Sequence, residues 1–261
     1  DTDTGGDTDT GKDTGKDTGQ PDLPTSGYFG SPTIVILADD GAGGAVAYLL
    51  DPSTGVATVV PELSLTKSAT VSCAAQFLWM LDDQGSTTTT DNAYGVETRT
   101  GTVSSTLALG AGFAGQTAFY TDNTLWFGGL GSASLLSFGL TGTPGSAIDL
   151  SSLADGDGLP EIMRVLPAEG STLALLKRHN TTSGAYEQSM VAALDLSTAT
   201  ISSSGNLAGG NAGRMATGVP GGLAVEILPT GSDAGGIEVF DLASGTSAGR
   251  VVDYAPAERV A

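Results

Sequence analysis

Short apolar runs return along this chain at nearly even steps, each broken by polar, Gly-rich turns. From Thr33 onward five runs carry an apolar core: Ile34–Ile36, Leu78–Met80, Leu125–Phe127, Leu173–Leu175 and Leu223–Val225. Their first members stand 44, 47, 48 and 50 residues apart. A second strand follows each run and ends in a turn: Asp51-Pro-Ser-Thr-Gly55, Glu97-Thr-Arg-Thr-Gly101, Gly139-Leu-Thr-Gly142, Asp195-Leu-Ser-Thr198 and Asp241-Leu-Ala-Ser-Gly245. An acidic side chain that accepts turn amides, closed by a Gly free to take positive φ, is hairpin chemistry. The third turn is shorter, and the fourth has Ala199 in place of its Gly. A third strand comes next (Val56–Val60, Thr102–Leu107, Ser146–Leu150, Thr200–Ser204, Arg250–Asp253). A fourth short segment precedes the following run (Thr70–Cys73, Gln116–Tyr120, Arg164–Leu166, Arg214–Ala216).

Four strands in about 47 residues, repeated, predict the blade of a β-propeller. A β-sandwich is the competing all-β arrangement. The pattern divides the chain into a low-complexity tether, 1–27, and a propeller domain, 28–261, with repeats near 33–74, 75–121, 122–168, 169–219 and 220–261. The repeats resemble the Tyr-Val-Thr-Asn (YVTN) class of bacterial β-propellers, whose blades carry an Asp-x-x-Thr-Gly turn. The resemblance implies that the segment before each opening run is the innermost strand of its blade. The first blade lacks one, and Glu258–Ala261 matches the Arg164 and Arg214 segments in type. The expectation is therefore about five four-stranded blades, closed by the C-terminal strand, which would remove free sheet edges. Its rival is a truncated member of a six- or seven-bladed ring.

Composition sharpens this picture. Gly is abundant, at 39 of 261 residues, and only 15% of residues are charged. That mix suits tight turns between strands better than helices, where Gly costs about 1 kcal/mol against Ala. Mean hydropathy is +0.09, yet no apolar run reaches the ~18 residues of a membrane span. A net charge of −19 argues against nucleic acid, which is bound through clustered Lys and Arg. Cys73 stands alone, so no intrachain disulfide forms.

Residues 1–22 are Asp, Thr, Gly and Lys apart from Gln20 and Pro21, with too little apolar surface to offset their ordering entropy. The run is similar to the spacers that follow the lipidated Cys of bacterial surface lipoproteins. That likeness implies an extracytoplasmic protein, secreted or anchored to the bacterial cell envelope through an N-terminal lipid; a monomer is expected.

Three groups of residues are candidates for chemistry. Arg164 and Arg214 lie nine residues before Leu173 and Leu223, Arg259 takes the same place in the last repeat, and Gln116 holds it in the second. At the start of innermost strands these side chains would ring one mouth of the channel, and guanidinium forks match carboxylate and phosphate. The rival role is to bind nearby acids and join blades. Asp155, Asp157 and Glu161 surround a Gly-rich turn, a pattern that suits Ca²⁺ and equally suits an acidic turn; no other cofactor is expected. His179, in the polar run Lys177–Thr182, reads as a solvated loop residue without a second His to share a metal. Trp79 and Trp126 take one strand position and are expected to pack between blades. The functional expectation is a binding or interaction module for a protein or small molecule, with a small anion at the channel mouth. The alternatives are a propeller enzyme of the lactonase or cyclase type and a purely structural envelope protein.

Overall fold

The computed structural model describes residues 33–60, 63, 65–74, 77–85, 87–98, 100–168, 171–180, 182–209, 211–229 and 235–254. The tether 1–27, the closing strand and Arg259 lie outside them. The described residues form five antiparallel sheets in chain order. Sheet one holds β1 (Ile34–Asp39), β2 (Gly44–Asp51) and β3 (Val56–Val59), and β4 (Leu65–Thr66) pairs with β2 beyond β3. Sheet two is β5 (Thr70–Ala74), β6 (Phe77–Leu81), β7 (Thr90–Glu97) and β8 (Val103–Ala111). Sheet three is β9 (Gly115–Thr121), β10 (Thr124–Gly129), β11 (Ser134–Gly139) and β12 (Ile148–Asp149). Sheet four is β13 (Gly158–Ala168), β14 (Ser171–Asn180), β15 (Tyr186–Asp195) and β16 (Thr200–Asn206). Sheet five is β17 (Ala212–Val219), β18 (Gly222–Ile227), β19 (Gly236–Asp241) and β20 (Thr246–Asp253). This is the expected architecture of about five four-stranded blades, with sheet one lacking an innermost strand among the described residues.

Alternation explains the stacking. Successive side chains of a strand point to opposite faces, so each second strand serves two neighbours. Leu78 and Met80 pack on sheet one, while Trp79 and Leu81 pack on sheet three. Leu125 and Phe127 return that contact, and Trp126 turns toward sheet four. Ala174 and Leu176 face sheet three, and Leu173 and Leu175 join Leu223, Val225 and Ile227 of sheet five. Both tryptophans thus fill joints between sheets, as their strand position predicts. Trp79 meets Phe127 edge-on, with ring centroids 5.2 Å apart.

Matching the repeats by their leucines slips by one residue in sheet four. The β5–β6, β9–β10, β13–β14 and β17–β18 hairpins align Leu78, Leu125, Thr172 and Leu223. A slip of one exchanges the two faces of a strand, and Leu173 accordingly faces the opposite neighbour from Leu125. The polar Ser171-Thr172 opening hides the true register in the sequence.

The turns follow their predicted chemistry. Asp51, Asp195 and Asp241 accept the backbone N–H of Ser53, Ser197 and Ser244 at 2.8–2.9 Å. Gly55 and Gly245 have φ of 70° and 66°, and Ala199 takes the same left-handed conformation at 54° without the freedom of Gly.

Candidate functional site

The five sheets have two rims. One carries the Asp turns. The other carries the connections from the outermost strand of one sheet to the innermost strand of the next, and here buried acids gather. Asp82 accepts the N–H of Thr66 at 2.8 Å and its hydroxyl at 2.9 Å, while its other oxygen takes the Gln84 amide. Asp91 accepts Gln84 N–H and Phe113 N–H, both at 2.7 Å. Glu238 accepts Ala208 N–H and Gly209 N–H at 2.5 and 2.8 Å, and the Ser247 hydroxyl. All three are buried. Each holds a connection between consecutive sheets, since a buried carboxylate must be hydrogen-bonded.

Glu161 is the fourth buried acid of this rim, and its neighbours form the densest polar cluster. Its Oε1 accepts Gly131 N–H of sheet three at 2.7 Å and lies 3.1 Å from His179 Nδ1. Its Oε2 is buried without a hydrogen-bond partner. Lys177, also buried, stands opposite Glu161 in the β13–β14 ladder. The Lys177 ammonium donates to Asn211 Oδ1 at 3.1 Å and sits 5.1 Å from the centroid of Tyr186. The Tyr186 ring lies 5.2 Å from that of His179. His179 is therefore no loop residue. It belongs to β14, which runs to Asn180, and its imidazole is engaged by Glu161.

Asp155, Asp157 and Glu161 do not converge. Asp155 is exposed and pairs with Arg178 at 3.5 Å, Asp157 accepts the Thr182 hydroxyl at 3.1 Å, and Glu161 turns inward. Among the described residues no group of three His, Cys, Asp or Glu side chains is arranged to hold a metal.

Gln116, Arg164 and Arg214 lie on innermost strands, β9, β13 and β17. The innermost strands of three consecutive sheets carry a bulge at one height, where one or two extra residues disturb the ladder and can re-aim a side chain. In β9 the extra residue is Gln116, between the Gly115–Gly129 and Thr117–Gly128 pairs. In β13 it is Met163, and exposed Arg164 comes directly after it, opposite Leu175. In β17 the residues 213–215, Arg214 among them, face Glu226 alone. The one-residue slip of sheet four thus puts Met163, rather than Arg164, at the place of Gln116 and Arg214. Gln116 donates from Nε2 to Ala114 O and Gly115 O, both at 3.3 Å. The sequence signals neither the bulges nor the buried acids, whose partners lie up to 30 residues away.

No protein-family model and no curated protein sequence matches the chain. Among solved structures it is similar to BamB from Moraxella catarrhalis, at 17% identity and a TM-score of 0.55, over 86% of this chain and 62% of that one. It is also similar to a structure from an analysis of two prolyl endopeptidases, at 15% identity and a TM-score of 0.53, over 88% of this chain and 34% of the other. The chain therefore spans less than two thirds of the length of either. Likeness at such identity speaks to the fold alone, and the fold is a β-propeller. No helix among the described residues is long and apolar enough to cross a membrane.

Proposed function

We propose that this chain is an extracytoplasmic, envelope-tethered β-propeller that works as a binding module, with a small-anion site beside the bulged layer of its innermost strands. The observation that carries the reading is the bulge itself, repeated at one height in β9, β13 and β17. Bulges are over-represented at rims and binding sites because they turn side chains out of the ladder. Gln116, Met163 and the 213–215 segment that contains Arg214 stand at this level of three adjacent sheets, and Arg164 follows directly on Met163. A guanidinium recognises a carboxylate or phosphate through two parallel hydrogen bonds. In a chain with only 10 Lys and Arg against 29 Asp and Glu, such a patch would select anions locally against a repulsive background. The Asp/Thr/Gly run before the propeller supports the tether.

The test is isothermal titration of the full chain with citrate and with inorganic phosphate at low salt. Millimolar or tighter binding is expected. Arg164→Ala and Arg214→Ala should each weaken it by roughly tenfold or more, as loss of a charge-assisted hydrogen bond costs about 1.5–3 kcal/mol. Absence of heat with both anions overturns the reading.

A further inference from the structure

Four buried acids stand on the rim of connections, and Glu161 differs from the other three. Asp82 engages both carboxylate oxygens, with Thr66 and Gln84, and Asp91 does so with Gln84, Phe113 and Ala114. Glu238 likewise serves Ala208, Gly209 and Ser247. Glu161 uses Oε1 alone, for Gly131 N–H and His179 Nδ1, while its Oε2 is buried without a hydrogen-bond partner. Holding a connection requires no idle oxygen, and leaving one buried is costly. Of these four described acids, Glu161 alone also bonds an ionisable side chain. A carboxylate only accepts, so His179 Nδ1 carries the bridging proton and Nε2 holds the lone pair.

The ladders set Leu159, His179 and Tyr186 side by side on β13, β14 and β15, with Glu161, Lys177 and Ser189 in the next row inward. The inner row is buried, whereas Leu159 and Tyr186 are 39% and 47% exposed and the His179 side chain 32%. A reachable imidazole is thus flanked by apolar and aromatic surface and backed by a buried acid. We propose that this is a hydrolytic site for carboxylic esters with an apolar acyl or aryl group, in which His179 is the general base. The site is separate from the anion patch and does not depend on it. Nε2 takes a proton from water as the water oxygen bonds to the acyl carbon. The bond from that carbon to the leaving oxygen then breaks, and the leaving oxygen takes the proton back from Nε2. The products are an acid and an alcohol or phenol, and the base is regenerated. Glu161 is a positioning residue. It fixes the imidazole with Nε2 turned away from it and stabilises the imidazolium that forms. The Lys177 ammonium, 5.1 Å from the centroid of the same Tyr186 ring, adds positive charge to the site as the carbonyl oxygen becomes negative.

The probe is 4-nitrophenyl butyrate, with nitrophenolate release by the full chain followed at neutral pH. Release should be catalytic and saturable. His179→Ala should lower kcat about 100-fold or more, and added imidazole should restore part of the rate above that of imidazole in buffer. Glu161→Gln, which keeps an acceptor for Gly131 N–H, should lower kcat about tenfold or more with KM held within about twofold. If Glu161→Gln fails to fold, His179→Ala and its rescue decide the question alone. Three results overturn the proposal: release that does not saturate, release unchanged in His179→Ala, and a single stoichiometric burst that ends in an acylated chain.

Discussion

The two rims of the propeller use one chemistry under opposite conditions. On both, a carboxylate accepts main-chain N–H groups of a loop. Asp51, Asp195 and Asp241 do so in water, within their own turns. Asp82, Asp91, Glu161 and Glu238 do so in the interior, and their partners belong to other strands and other sheets. The exposed bond competes with hydration and shapes a hairpin. The buried bond has no ready substitute once broken, because the carboxylate that accepts it is cut off from water. The first set defines where strands turn, and the second defines how sheets are joined.

The largest effect should come from Asp91→Ala. It strips the acceptor from Gln84 N–H and from buried Phe113 N–H, and each orphaned group costs about 1–3 kcal/mol. The expected loss is about 3 kcal/mol or more, a fall in Tm of roughly 6–12 °C for a domain of this size. Calorimetry that shows no change would erase the distinction between the rims. A smaller effect, of opposite sign, is expected at the turn rim. Ala199 holds φ of 54°, a region that costs a non-Gly residue about 1–2 kcal/mol. Ala199→Gly should therefore stabilise by about 0.5–1 kcal/mol after the entropy of Gly in the unfolded chain is subtracted, read from urea unfolding.

The smallest effect is electrostatic. Side-chain and backbone hydrogen bonds from Ser53 hold the Asp51 carboxyl below its ordinary value, bonds from Ser197 and Thr198 do the same for Asp195, and bonds from Ser244 for Asp241. A depressed carboxylate contributes stability above its unfolded-state pKa and loses it as pH falls through the folded-state value. The contribution of these turns is thus complete at neutral pH and fades only on the acid side of the usual carboxylate range. Since none of the three is buried, the triple Asn variant should differ from the parent only slightly in its acid unfolding profile. A large difference at pH 6–8 would contradict this account.

The sequence shows the turn rim plainly and the joining rim hardly at all. An Asp-turn is local, so its donor and acceptor stand two or three residues apart and read as a motif. Leu78-Trp79-Met80 is equally legible because alternation is a property of one strand. The joining acids act over 16 to 30 residues, and nothing near Glu161 announces that it turns inward, away from Asp155 and Asp157. His179 misleads for a related reason. Lys177-Arg-His-Asn is as polar as a loop, but β14 carries it to the rim, where Glu161 and Asn211 supply partners for His179 and Lys177. The register of sheet four was hidden because leucine anchors the eye at Leu173, whereas the hairpin counts from Ser171.

The described cores each lie between sheets that are neighbours along the chain. Energetically the described residues are then a row of units coupled to their nearest neighbours, as in other repeat proteins. Damage at one joint stays near that joint, and opening can begin at an end and travel inward one sheet at a time. Among the described residues sheets one and five each share a core with a single neighbour, and such fraying should start there.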